Sequence, residues 1–196
     1  SYGWVIIPQV NASWVNGNLT TRASIGKGVR DADFTERYNN YNKSLVTGGS
    51  IGNPYLQTEK SWSYELGADY RMGSHFKWGA TVFFRDQNNL IDWTPTPFPM
   101  MPRQSNLVIT GNYSLASNIS SVQTKGIETD LTYNKKWGEN VELSISTGLV
   151  WLASTSPNKT PSFYISSHAR FLWNEKIIFR ARQLQLSVNS VYKIRN

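Results

Sequence analysis

The sequence predicts an all-β protein: an antiparallel up-and-down transmembrane β-barrel, present as one sector of a larger barrel. Three observations carry that prediction. Apolar and polar residues alternate with period two through most of the chain. The connections between alternating segments are by turns short and long. The segments exceed ordinary strand length, and aromatic residues gather near their ends.

The alternation is plainest from Glu59 to Arg71. Its even positions are Lys60, Trp62, Tyr64, Leu66, Ala68 and Tyr70, while its odd positions are Glu59, Ser61, Ser63, Glu65, Gly67, Asp69 and Arg71. Phe76, Trp78, Ala80, Val82 and Phe84 then alternate with Lys77, Gly79, Thr81, Phe83 and Arg85. Ile127, Leu131 and Tyr133 oppose Gly126, Glu128, Asp130 and Thr132, and Val141 to Trp151 repeats the pattern. Helical spacing competes nowhere. Strands are expected at residues 4–15, 19–28, 59–71, 76–86, 123–134, 141–153, 163–173 and 177–194.

The turns Asn16-Gly17-Asn18, Met72-Gly73-Ser74-His75 and Asn174-Glu175-Lys176 fall at one end of that sheet. The long segments Val29 to Thr58 and Gln87 to Val122 fall at the other. Membrane barrels show this asymmetry, with short periplasmic turns and long external loops. A tilted membrane strand needs about 9–11 residues, against about 5–6 in an average strand. Trp4, Trp14, Trp62, Tyr70, Phe76, Trp151, Phe171 and Trp173 lie near segment ends, as interfacial girdles require. Within lipid every backbone polar group needs an internal partner, so the sheet must close. The polar faces carry Arg22, Glu65, Asp69, Arg71, Lys77, Arg85, Glu128 and Asp130. A narrow eight-stranded barrel would have to pack all these charges inside, whereas a wide lumen accommodates them. Residues 1–196 are therefore expected to be a fragment of a single larger barrel domain.

Composition removes other classes. The 196 residues include no cysteine, which excludes disulfides, thiolate metal sites and cysteine nucleophiles. No apolar run approaches the ~18 residues of a spanning helix. The net charge of +7 comes from dispersed residues with Lys135-Lys136 as the adjacent pair, so no nucleic-acid stripe forms and no nucleic acid is expected as partner. Only two histidines are present, His75 in a tight turn and His168 on a strand. His168 beside Ser166 and Ser167 lacks a nucleophile elbow, and neighbouring strand residues point to opposite faces. Carboxylate pairs such as Glu65/Asp69 and Glu128/Asp130 read as lumen charge before glycosidase acids. No catalytic residue, metal site or cofactor is expected.

Several segments also resemble one family. Ala23-Ser24-Ile25-Gly26-Lys27-Gly28-Val29-Arg30 is similar to a strand-to-loop signature of TonB-dependent outer-membrane receptors. Gly52-Asn53-Pro54-Tyr55-Leu56-Gln57-Thr58-Glu59-Lys60-Ser61 resembles their "GNPxLxxEKS" element, and Trp62 to Tyr70 resembles the strand "SYELGADY". Phe83-Phe84-Arg85 with Leu90-Ile91-Asp92, and Gly126-Ile127-Glu128-Thr129-Asp130-Leu131, continue the series over about residues 20–135. Two departures are Thr58, where the family usually has Pro, and Asp31-Ala32-Asp33, which replaces its Ala-Pro.

The resemblance implies the later-middle part of a barrel of about 22 strands in the bacterial outer membrane. A plug domain, earlier strands and the last strands would lie outside this sequence. It further implies active uptake of a large scarce solute: a ferric siderophore, cobalamin, haem or an oligosaccharide. The implied partners are outer-membrane lipid, the protein's own plug domain, the TonB energy-transducing complex and a small-molecule or metal-chelate ligand, with a surface lipoprotein as an open addition. Candidate ligand contacts are Trp93, Phe98, Met100, Met101 and Arg103 in a proline-stiffened loop, and Tyr41 and Tyr55 in the earlier one. Arg22, Glu65, Asp69, Arg71, Lys77, Arg85, Glu128 and Asp130 would face the lumen or plug.

A soluble β-sandwich with lectin-like sugar binding is the alternative. Its Trp-rich faces would pack against a second sheet, and the N-x-S/T triplets at Asn11, Asn18, Asn42, Asn112, Asn118 and Asn158 would be glycosylation sites in a secreted eukaryotic protein.

Overall fold

The computed structural model describes residues 4–156 and 169–195. Nine strands appear among them: β1 (Gln9–Asn16), β2 (Leu19–Arg30), β3 (Gly49–Ile51), β4 (Glu59–Met72), β5 (Phe76–Thr96), β6 (Tyr113–Trp137), β7 (Val141–Thr155), β8 (Ala169–Ala181) and β9 (Leu184–Arg195). They form one sheet in the order β1-β2-β4-β5-β6-β7-β8-β9, antiparallel throughout, with β3 added in parallel beside β6. This is the expected all-β, up-and-down architecture of a partial barrel. The sandwich alternative fails here, because the described residues hold a single sheet whose aromatic face nothing covers.

The two-residue connection Gly17-Asn18 follows from its Gly-Asn signal, with Gly17 at φ 57°. Gly73 and Gly138 adopt the same left-handed conformation in the β4–β5 and β6–β7 turns. These turns lie at one end of the sheet and the longer connections at the other.

Three expectations are corrected. The turn expected at Asn174-Glu175-Lys176 is interior to β8, and the chain reverses after Ala181 with Arg182 at φ 54°. A left-handed arginine carries no sequence signal, whereas Asn-Glu-Lys imitates one. Of the strand expected at 163–173, Ala169 to Trp173 belong to β8, and the rest, with Ser166, Ser167 and His168, lies outside the described residues. The first strand begins at Gln9 rather than at residue 4; Pro8 has no N–H for a ladder and contributes only its carbonyl, to Lys27 N at 2.9 Å. The segment 87–122 is largely strand, because β5 and β6 run on as a long hairpin to the Thr96–Tyr113 pair. Its alternation vanishes where Leu90, Ile91 and Asp92 are buried in succession, as happens when both faces of a strand are covered.

The core lies at one end of the sheet. Among the described residues every buried apolar side chain belongs to the long-loop end: Val46, Ile51, Leu56, Leu90, Ile91, Met101, Leu107, Tyr113, Leu115, Ala116, Ile119 and Val122. Below them the sheet buries none. Trp62, Tyr64, Leu66, Val82, Phe84, Ile127, Leu149 and Trp151 stand exposed on one face, Leu66 at 59%. A contiguous apolar face of that extent is left without a covering layer among the described residues.

Candidate functional site

Register fixes which side chains share the opposite face. Arg22 is opposite Gly67, Gly67 opposite Thr81, and Thr81 opposite Glu128. Asp69 and Asp130 flank Gly79, Glu65 pairs with Ser24 and Phe83, Arg85 with Ser63 and Thr124, and Lys77 with Arg71 and Thr132. All eight charged residues expected on the polar wall thus project from one face. That face is the hollow one, since a concavity spanning five strands is lined by Asn11, Ser13, Arg22, Glu65, Arg85 and Glu128.

The wall is partly paired. Arg22 grips Asp69 with two bonds, Nε to Oδ2 at 2.8 Å and Nη2 to Oδ1 at 3.2 Å. Arg85 Nε donates to Ser63 Oγ at 3.2 Å, and Ser24 Oγ donates to Glu65 at 3.4 Å. Arg180 bridges Glu142 at 3.2 Å farther round, a pair that the alternation alone did not single out. Gly79 makes room for two carboxylates: a Cβ there would stand 2.6 Å from Asp130 Oδ1 and 3.1 Å from Asp69 Oδ1. Phe83 is an apolar member of this wall, and its ring covers Gly126 on the next strand.

At the long-loop end a second layer is built on the β5–β6 hairpin. β7 stops opposite Gln123, which leaves the upper edge of β6 for β3 to join. β4 begins opposite Asn88, so β5 above it has a free edge too. Glu59 occupies that edge: its Oε1 accepts from Ile91 N at 2.6 Å while both its oxygens bind Arg30, at 2.6 and 2.7 Å. Arg30 in turn binds both oxygens of Glu36 at 3.0 Å. Glu36 closes a capping box with Asp33 and so starts the one-turn helix α1 (Phe34–Tyr38) inside the segment expected to be loop. Asn118 holds Gln57 by its backbone, accepting from N at 2.8 Å and donating to O at 2.9 Å. The two departures from the family pattern meet: Thr58 Oγ1 donates to Asp31 Oδ1 at 3.5 Å, and Arg37 binds the same oxygen at 2.7 Å. Desolvation would raise the Asp31 carboxyl, but the Arg37 guanidinium, the Ala32 N–H and the Thr58 hydroxyl together outweigh it and hold the group below its ordinary value.

The loop candidates divide. Trp93 lies in β5 and packs beside Leu56, Ile91 and Ala116. Met101 is buried with Val46, Leu107 and Tyr113, and Phe98 packs against that cluster. Arg103 donates to the Tyr41 carbonyl at 2.7 Å, its guanidinium 4.9 Å above the Tyr41 ring. Tyr55 and Met100 project outward, 80% and 73% exposed. Sequence reading missed Arg30, Glu36, Glu59 and Asn118. The first and third stand inside the resembling motifs, while nothing local marks Asn118.

Comparison with known proteins decides the family. The model of the TonB dependent receptor-like beta-barrel matches residues 1–181. The chain belongs to the TonB-dependent receptor β-barrel family. Comparison with curated protein sequences gives no match. Among solved structures this receptor barrel is similar to the siderophore receptor PirA from Pseudomonas aeruginosa (TM-score 0.62, 22% identity, covering 96% of this chain and 32% of that one). It is similar to the FrpB iron transporter from Neisseria meningitidis (TM-score 0.63, 17% identity, 93% and 25%) and to the copper transporter OprC (0.65, 13% identity, 96% and 25%). The chain thus spans about a quarter to a third of these neighbours' length. Receptor barrels of this family are outer-membrane proteins.

Proposed function

We propose that this chain is a sector of an outer-membrane barrel that takes up a large scarce solute, driven by the TonB complex. The two-sided sheet carries the reading: charges on the hollow face, uncovered aromatics on the other, and a packed loop layer at one end only. The hollow face lines the route and seats the plug domain. Members of the wall that have no ion pair among the described residues, such as Glu128 and Asp130, are the contacts for that plug, while the Arg22–Asp69 pair stiffens the wall beneath it. The loop layer receives ligand, with Tyr55 and Met100 as first contacts. Trp93, Phe98, Met101, Tyr41 and Arg103 hold that surface in shape.

The ligand class belongs to the same proposal. PirA, FrpB and OprC are named for siderophore, iron and copper. An exposed tyrosine and thioether suit the organic shell of a metal chelate, and a ferric siderophore is the first candidate, ahead of cobalamin, haem or an oligosaccharide. Cells bearing the full-length receptor, with and without a working TonB complex, are offered radioiron-loaded siderophores, radiocobalt cobalamin, haem and labelled oligosaccharides. Accumulation of one solute that needs both receptor and TonB supports the proposal. Uptake indifferent to TonB, or uptake of none, overturns it.

A further inference from the structure

The apolar face carries one acidic side chain in its middle. On β8, Phe171, Trp173, Ile177 and Phe179 share a face with Glu175, and Trp173 marks that face as the outward one by its bond to Thr147 Oγ1. Asn174 takes the hollow side, where its Oδ1 would stand 2.6 Å from a Cβ on Gly148, the residue opposite Asp130 of the wall. Glu175 is six residues above Ala181, where β8 ends at its turn, and on β4 the sixth residue above Met72 is Leu66. The apolar run of β4 takes ten steps from Met72 to Trp62, so this level lies close to its midpoint. Below the level of Trp62, no other Asp or Glu holds an outward position among the described residues.

Glu175 is in no ion pair among the described residues. By register it lies between Thr147 on β7 and Ser190 on β9, both small. The Thr147 hydroxyl already donates to the Asn174 carbonyl at 3.3 Å while it accepts from Trp173, which leaves Ser190 as the donor at hand. One hydroxyl does not replace the hydration of a carboxylate, and an ionisable group at mid-depth in lipid is expensive until a partner meets it. Trp173 and Tyr192 stand above this notch, Ile177 and Val188 below it. The small residues on either side of Glu175 therefore leave room for a long side chain to reach it.

We propose that Glu175 anchors a docking surface for a second membrane-embedded protein, whose apolar segment brings one lysine or arginine to mid-depth. The carboxylate selects the cation, Thr147 and Ser190 admit its stem, and the aromatic and aliphatic side chains around them pack against the segment. A second copy of this chain, held in the same orientation by the membrane, would present the same carboxylate at the same depth across a two-fold axis, so the partner is a different chain. The inference rests on the reading that this face meets lipid.

The test places the full-length receptor in phospholipid vesicles with a synthetic spanning helix of leucines that carries a single central lysine, or norleucine in its place. Energy transfer between labelled receptor and labelled helix reports association. The lysine helix is expected to associate about tenfold more tightly than its norleucine twin. Glu175→Leu, which takes a charge out of lipid and so keeps the barrel folded, should abolish that difference, and Glu175→Asp should retain it. Equal association of the two helices with wild type, or a lysine preference that survives Glu175→Leu, overturns the proposal. Self-association of the receptor that Glu175→Leu abolishes overturns it too, since it marks a contact between copies. A nitroxide at Glu175→Cys that meets a water-soluble nickel chelate, while one at Leu66→Cys meets oxygen, also overturns it. Failure of the underlying membrane reading shows separately, as nickel contact at Leu66→Cys itself.

Discussion

Trp78 Nε1 donates to Thr129 Oγ1 at 3.0 Å across the apolar face, and Thr129 Oγ1 donates to the Gly79 carbonyl at 2.9 Å. The arrangement recurs two strands on, where Trp173 Nε1 donates to Thr147 Oγ1 at 2.9 Å and that hydroxyl to the Asn174 carbonyl at 3.3 Å. In water an indole N–H needs no such partner. In hydrocarbon it does, because an unmet donor loses its solvation without replacement.

Thr129→Val removes the acceptor for Trp78 and keeps the shape. It should destabilise the reconstituted barrel by about 1 kcal/mol, with Thr129→Ser close to neutral. Urea unfolding in phospholipid vesicles measures this. A Val variant as stable as wild type would show that the indole finds water where it stands.

Gly126→Ala tests the opposite face. A Cβ there would approach the Trp151 carbonyl and the Phe83 ring to 2.5 Å each, and the carbonyl is held in the β6–β7 ladder. The expected loss is about 1–3 kcal/mol by the same unfolding measurement. A neutral result would mean that the ladder shifts to admit a methyl group.

The loop layer should loosen in acid. Asp31 has its carboxyl held below the ordinary value of 3.8 by Arg37, so its contribution is complete above that value and disappears as the pH falls through the lower folded one. Limited proteolysis of the segment 31–58 should therefore accelerate below about pH 4. Asp31→Asn should produce the same cleavage at neutral pH while leaving the barrel folded. Cleavage indifferent to both changes would remove Asp31 from the attachment.

Much of this was legible because a strand with one apolar and one polar face must alternate, and Ser61 to Met72 does so without a break. The eight wall charges followed from parity alone. Legibility ends where that two-sided environment ends. Leu90, Ile91 and Asp92 are covered on both faces, so the hairpin carrying them read as loop. Arg182 turns the chain with a positive φ that its side chain does not advertise, whereas Asn174-Glu175-Lys176 supplies polar residues in mid-strand. Asn118 clamps Gln57 across 61 residues of sequence, a relation no local pattern encodes.

The central claim is that neighbouring residues of β4 face different solvents. The sequence holds no native cysteine, so Leu66→Cys and Glu65→Cys each give this chain a single nitroxide site. In the full-length receptor reconstituted in phospholipid vesicles, the label at Leu66 should collide with dissolved oxygen far more than with a water-soluble nickel chelate. The label at Glu65 should show the reverse. Equal nickel accessibility at the two positions, or the opposite ranking, would contradict the account.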